Sequence, residues 1–506
     1  MYILAKHPFT FNELNTILSE ATGKTLGEAD VNNVFAKTID KPKITGIAGD
    51  VVEQSILGYP ADSDSDPDLI IDGVPTELKT TGIRVKIPKG KKKKEYKAKE
   101  PMSITAVSVN NIVKEDDFED SRFWHKLENL LLVYYNYAAP KAVPAADYAN
   151  FVIEGYQFHQ FSDEDKEILK NDWTIVRDFI RDIQANYVDP CTEYPRISSE
   201  LRKHLMLIDT APKYPNPPRF RLKQSTVGTI VEKHFGQKLE ELDETYSSFK
   251  ELDDELHRLT TLYKGHTVRE LLEMLHINAT LNKHKDVSKS VTEQIIVKML
   301  GGKAKKLSKI DLFSKAGIIP KTIVTTTAGT RTEDMKLFQI DFEEWTRSEY
   351  DSDEGELLPM TFDQSFVHNY FAEHQFLCIV FQESTDGDKL LDNKFIGFKR
   401  LAFDEAFINS TVKKLWEDVR ELVIDELLVE STLYKEDGTP QINKKTNTVK
   451  KSLNFPKSAE YDVFVRGSGT DSTHKNFVLN GIHMYSQYVW IKGSTMVHLL
   501  KTTDFI

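Results

Sequence analysis

Cysteine is nearly missing from this chain: there are two in 506 residues, Cys191 and Cys378. They are too few and too far apart for a disulfide framework or a thiolate zinc site, so a reducing, cytoplasmic compartment is expected. Long apolar runs are missing as well. The longest, LLLVYY and FLCIVF, fall far short of the roughly 20 residues that span a bilayer. The start, MYILAKHPFTFNEL, lacks the apolar stretch of a secretory signal, and no membrane association is expected. No Walker-type phosphate loop and no GxGxxG fingerprint follows a strand-like segment, so no nucleotide cofactor is expected; no GxSxG elbow appears either. Positive charge is not in excess: 66 Lys and Arg against 78 Asp and Glu leave a net −12. That argues against a protein basic all over, but local basic surface can still bind a polyanion. What is abundant is ordinary globular material, 40% hydrophobic and 28% charged, at a length that suits two to four domains.

The chain reads as one unit written twice. Gly23-Lys-Thr-Leu26 is echoed by Gly265-His-Thr-Val268, Glu53-Gln54 by Glu293-Gln294, and Asp68-Leu69 by Asp311-Leu312. The strand-like Glu77–Thr81 is echoed by Thr322–Thr326, Phe118 and Ser121 by Phe362 and Ser365, and Leu130–Tyr135 by Phe376–Phe381. These six pairs are displaced by 240 to 246 positions; a seventh, Phe220–Thr226 with Val489–Thr495, is displaced by 269. The jump implies extra residues in the second half, around Thr411–Ser458. The expected organisation is a first copy over 1–237, a helical linker over 238–264 and a second copy over 265–506. Ile47–Leu57 and Leu169–Ala185 have helical spacing, while Asp68–Ile71 and Pro75–Thr81 read as strands around an Asp72-Gly73 turn. Helices packed on a mixed sheet, an α/β class, are expected in each copy.

Chemistry concentrates in Glu53, Asp68, Glu77 and Lys79. Strand alternation puts Glu77 and Lys79 on one side with Leu78 opposite, and Asp68 on the neighbouring strand can reach the same side. Two carboxylates converging from adjacent strands make a hard-oxygen site suited to Mg²⁺, with Glu53 from a preceding helix as a further donor. A lysine beside them can orient water or offset charge on a phosphate. A surface ion pair is the plain alternative for Glu77 and Lys79. In the second copy the pair becomes Thr322 and Val324, while Glu293 and Asp311 persist, so the metal chemistry should be lost there. The acidic run from Asp62 to Asp68 fails as a calcium loop, because Pro67 and Gly73 stand where Gly and Glu are needed.

GDVVEQ, PDL, TELKT and FWHKLENLLLVYY together resemble the motif series of the MutH-type nucleases, of the restriction-endonuclease-like superfamily. LKNDWTIVRDFI and FRLKQSTVGTIVEKHF continue the resemblance across the first copy. It implies a catalytic set of Glu53, Asp68, Glu77, Lys79 and Lys126, with Mg²⁺ on Asp68, Glu77 and Glu53. Length and duplication look like the two-domain type II restriction endonucleases that cut GATC. In those, a catalytic MutH-like domain precedes a degenerate MutH-like domain that binds a second DNA site as an effector. The resemblance implies cleavage of both strands of double-stranded DNA to 5′-phosphates, by a protein that is monomeric when free and can dimerise on DNA. A strand-specific nicking enzyme of mismatch-repair type and a non-catalytic DNA-binding regulator are the rival readings.

Basic residues follow the catalytic strand: Arg84, Lys86, Lys91, Lys92 and Lys93 lie in a lysine-rich loop that is either solvated or in contact with phosphates. Lys213, Arg219, Arg221 and Lys223 form a second cluster where the family places recognition elements, and Arg466 and Lys492 lie near the end of the second copy.

Overall fold

The computed structural model describes residues 7–41, 44, 46–60, 66–87, 93–139, 143–330, 332–346, 348–351, 356–385, 387–444, 446–469 and 475–506, with backbone alone in 349–351 and 356–358. The chain forms two compact units. The first comprises 1–255, 296–319 and 349–358; the second comprises 256–295, 320–348 and 359–506.

In the first unit six strands form a mixed sheet, in the order Pro8–Phe9, Leu69–Ile71, Val74–Lys86, Leu130–Asn136 and Ile153–His159, with Glu95–Ala98 paired to the outer part of Val74–Lys86. Val74–Lys86 runs antiparallel to Leu69–Ile71 and parallel to Leu130–Asn136. The run LLLVYY is buried throughout, as a strand covered on both faces requires. Leu78, Leu131 and Val133 face a core built with Leu14 and Leu18 of the helix Phe11–Ala21 and Ile47 and Val51 of the helix Ile47–Val51. The expected helix over Ile47–Leu57 is realised as Ile47–Val51 followed by a π-turn, Val52–Ile56. A second, antiparallel sheet has the order Met102–Ala106, Arg219–Leu222, Ile208–Ala211.

The hairpin that carries the acidic residues is set by two positive φ angles, Asp72 at 48° and Gly73 at 87°. A two-residue turn of this kind matches strand twist and leaves no freedom in register. The pairs are Ile71 with Val74, Ile70 with Pro75 and Leu69 with Thr76. Continuing that register sets Asp68 opposite Glu77.

The second unit repeats these devices. Thr25 and Thr267 each cap a short helix through a reciprocal box, with Glu28 and Glu270. Gly23 N–H donates to the Ile153 carbonyl at 2.8 Å, and Gly265 N–H to that of Phe395 at 2.8 Å. Ser121 and Ser365 cap the helices Arg122–His125 and Phe366–Glu373. Tyr134 pairs with Gly155 and Val380 with Gly397, each beside a register shift. The sheet order Ile318–Thr325, Gln375–Gln382, Lys394–Leu401 repeats that of Val74–Lys86, Leu130–Asn136, Ile153–His159. Met335–Gln339, Ser486–Ile491, Val463–Ser468 repeats the small sheet. Of the stretch between the copies, Phe249–Tyr263 is helical and the residues before it are irregular. The helix Lys413–Ile424 persists, so the extra residues of the second half begin after it rather than at Thr411.

The repeat also corrects one alignment. Tyr137 N–H donates to the Ile83 carbonyl at 2.8 Å, and Glu383 N–H to that of Thr325 at 2.9 Å; both donors directly follow the matched central strands. Thr325 therefore stands for Ile83, and counting back along the strand puts Ile319 in place of Glu77 and Lys321 in place of Lys79. A second anchor agrees. With the left-handed Gly58 and Gly301 that follow the two helices matched, the helical pairing also slips by three from that of Glu53 with Glu293, and Gly49 stands with Thr292; a Cβ on Gly49 would lie 3.5 Å from Thr80 Oγ1, and Thr292 hydrogen-bonds Thr322. The pair in the second copy is thus Ile-Pro-Lys, not Thr322 and Val324.

Replacing Gly73 by alanine forces a Cβ into left-handed backbone at a cost of about 1–2 kcal/mol. A lowered urea midpoint with unchanged far-ultraviolet circular dichroism is the expected result; an unchanged midpoint contradicts this role for the turn.

Candidate active site

Glu77 is 3% exposed and has an ammonium on each oxygen: Lys79 Nζ lies 2.6 Å from Oε1 and Lys126 Nζ 2.5 Å from Oε2. Lys79 reaches it as the same-face neighbour two residues along the strand. Lys126 follows the helix Arg122–His125 and is itself 6% exposed; its Nζ also donates to the Asp66 carbonyl at 2.7 Å. That second bond ties the segment leading to Asp68 to the strand Val74–Lys86. Asp68 Oδ2 accepts the Leu78 N–H at 2.9 Å. Burial, and then the negative charge of Glu77, push the Asp68 carboxyl above the usual carboxylate range, against the Leu78 hydrogen bond and the two lysines.

Glu53 does not join this pair. Among the described residues no three His, Cys, Asp or Glu side chains gather as a metal group.

Asp68 and Glu77 still fit a divalent cation. They are hard oxygen donors placed opposite one another, and their mutual repulsion is what a cation would relieve. These two would hold it.

The second copy lacks this set. Ile319 replaces the glutamate. Lys321 survives, but its Nζ donates to the Lys336 carbonyl at 2.8 Å, and burial lowers it to about 8. Asp311 does not persist as a partner for it. It opens the helix Asp311–Lys315 in the first unit and is engaged by Lys315 and, at 3.1 Å, by Lys233.

The expected DNA contacts divide. Lys86, Lys93, Lys213 and Arg219 are exposed; Lys93 Nζ donates to the Gly236 carbonyl at 3.2 Å. Arg84 is half-buried, with its guanidinium 5.9 Å from the Tyr137 ring centroid. Lys91 and Lys92 lie outside the described residues. Arg221 makes a two-pronged pair with Asp209, at 2.7 and 2.9 Å. Lys223 is corrected: it is 1% exposed, and its Nζ donates to the Leu205 carbonyl at 2.6 Å, so it braces the fold instead of meeting phosphate. Arg466 is exposed and paired with Asp334 at 2.7 Å; Lys492 is half-buried and stands just before the helix Gly493–Lys501.

Asp172 was not singled out from the sequence. Fully buried on the helix Asp163–Asn186, it accepts the N–H groups of Met206 and Leu207 at 2.8 Å each and of Ile208 at 3.2 Å. It thereby fixes the strand beside Arg219 and Arg221. Burial raises it to about 6. The available signal was an acid spaced four residues from Ile168 and Val176 on an apolar helix face.

Residues 57–172 match the family model described as DNA mismatch repair enzyme MutH. Asp68, Glu77, Lys79 and Lys126 all fall inside that segment, which is therefore a MutH-like nuclease domain of restriction-endonuclease-like fold. Beyond it, the chain is similar to the type II restriction enzyme Sau3AI of Staphylococcus aureus, 26% identical over 412 residues that cover 79% of this chain and 77% of that enzyme. Among the described residues no helix is long and apolar enough to cross a membrane.

Because the folded state raises the Asp68 carboxyl, its stabilising contribution is present at low pH and is lost as pH rises through the folded-state value. At neutral pH its charge therefore costs stability. Asp68→Asn is expected to raise the Tm in chelator at neutral pH, on the order of 2–4 °C for each kcal/mol relieved, with the gap closing near pH 4. Thermal denaturation checks this, and a lower Tm than wild type at neutral pH contradicts it.

Proposed function

We propose that the chain is a type II restriction endonuclease that recognises GATC in double-stranded DNA and hydrolyses a phosphodiester in each strand with Mg²⁺. The proposal includes 5′-phosphate ends and a second unit that binds a further DNA site as an effector. The observation that carries the reading is the quartet Asp68, Glu77, Lys79 and Lys126 inside the MutH-like segment, together with its loss in the second copy. The extended similarity to a type II restriction enzyme favours double-strand cleavage over nicking.

Asp68 and Glu77 would hold the Mg²⁺, whose chemistry when bound is to polarise the phosphoryl group and acidify water. Lys79 is the less buried of the two lysines on Glu77, its side chain 21% exposed. It can swing from Oε1 to orient the attacking water and offset the charge that builds on the phosphate. Lys126 holds Glu77 and the Asp66 carbonyl in place while Lys79 moves. Arg219, Lys86 and Lys213 present cations to the duplex, of which arginine is the better matched to a guanine edge.

Purified protein incubated with Mg²⁺ and plasmids bearing one or two GATC sites tests this reading. Linear products with 5′-phosphates at GATC, and faster cutting of the two-site plasmid, are expected. Lys79→Ala should lose about 10²-fold or more in rate while retaining duplex affinity. A fully active Lys79→Ala variant removes that residue from the mechanism, nicked circles as the end product favour a repair-type enzyme, and binding without any cleavage makes the chain a regulator.

A further inference from the structure

The interval between the long helix and the next strand, at the edge of the small sheet, differs in the two units. In the first, residues 187–207 fold inward and bury Tyr194, Ile197, Leu201 and Leu205. In the second, the corresponding interval, 425–462, carries a β-ribbon whose described outer residues are mostly exposed. Its base is the pairing of Glu430–Thr432 with Lys451–Leu453. Asn454 fastens that base, accepting the Val429 N–H at 2.8 Å and donating to the Leu427 carbonyl at 3.0 Å. Further out, Gln441 N–H donates to the Leu433 carbonyl, Leu433 N–H to that of Lys450, and Lys450 N–H to that of Gln441, at 2.8, 3.0 and 2.7 Å. The tip is a shaped hairpin: Ile442 pairs with Val449, and Asn447, at φ 54°, donates to the Asn443 carbonyl at 2.9 Å.

The composition of this hairpin points to its partner. The run QINKKTNTVKK, residues 441–451, contains four lysines and no acid, in a chain where acids outnumber bases. Lys444 and Lys450 are exposed, as are Ile442 at 40% and Val449 at 41%. The amides of Gln441 and Asn443 are spent inside the ribbon, on the Tyr434 carbonyl at 3.0 Å and Thr448 Oγ1 at 3.1 Å, and so stiffen it. Lysines beside small apolar groups are what phosphates, guanine edges and thymine methyls require, and a two-stranded ribbon has the width the major groove admits. Lys451 is paired with Glu430 at the base, at 2.7 Å, so the cations offered to a partner are those further out, Lys444 and Lys450, and a polyanion matches them better than a protein surface of mixed charge.

We propose that the 441–451 hairpin of the second unit is a DNA-reading ribbon that enters the major groove of the effector site, with Lys444 and Lys450 on phosphates or guanine edges and Ile442 and Val449 toward thymine methyls. The inference rests on the second unit binding DNA at all. It also accounts for the placement of this insertion in the copy that has lost the carboxylate pair: a unit without chemistry needs contacts that hold its site.

The test uses the full chain silenced by Lys79→Ala, with a short GATC duplex as probe, and compares it with the same chain carrying Lys444→Ala and Lys450→Ala. Both lysines are exposed, so the melting curve should not move. Expected are two duplexes per silenced chain, a second-duplex affinity at least tenfold weaker in the double variant, and a log–log salt slope reduced by about two. Two duplexes bound with unchanged affinity and slope overturn the ribbon and leave the two-site reading intact. One duplex in both proteins refutes the two-site reading, and the ribbon then stands only if the salt slope of that single event falls by about two.

Discussion

A buried carboxylate with an ammonium on each oxygen organises the first unit. Glu77 is almost sealed from water, so leaving either oxygen without a partner would be costly. Lys79 supplies one partner from the same strand face, and Lys126 supplies the other from the turn before the central strand. Because Lys126 also holds the Asp66 carbonyl, the same interaction sets the segment from which Asp68 approaches. The geometry suits a metal-dependent nuclease: the two lysines balance the acidic pair when no cation is there, and one of them is exposed enough to leave.

The two units separate scaffold from chemistry. Capping boxes, bulge glycines and sheet orders recur in both, so the fold survives without the acidic pair. At the matching strand positions the second copy has Ile319, and Lys321 half-buried with its amine on a backbone carbonyl. An isoleucine needs no counter-ion, so the strand can be packed without the Glu77 arrangement. The freedom gained is visible elsewhere, in an insertion that projects polar and basic side chains instead of folding back into the core.

Much of this was legible in the sequence, for identifiable reasons. The Asp72-Gly73 turn fixes hairpin register, and strand alternation then puts Glu77 and Lys79 together. The apolar run from Leu130 to Tyr135 is buried as its composition demands. What failed to show was how elements meet in three dimensions. Helical spacing around Glu53 gives a helix but neither its closing π-turn, Val52–Ile56, nor whether the glutamate gathers with Asp68 and Glu77 as a third ligand, which among the described residues it does not. Lys223 looks like one of a basic cluster until the chain folds its amine onto the Leu205 carbonyl. The Thr-Thr of Thr325-Thr326 matched Thr80-Thr81 by residue type, whereas the backbone places Thr322 with Thr80; a three-residue slip on a short strand is invisible without the neighbouring strand.

Divalent-ion binding by the free protein tests the central claim most directly. Titration of Mn²⁺ in the absence of DNA, followed by electron paramagnetic resonance, should show a site weakened about tenfold or more by Glu77→Gln, and unaltered or tightened by Lys79→Met, because the lysine competes with the ion for Glu77. Binding that is indifferent to Glu77→Gln but weakened by Lys79→Met would contradict the account.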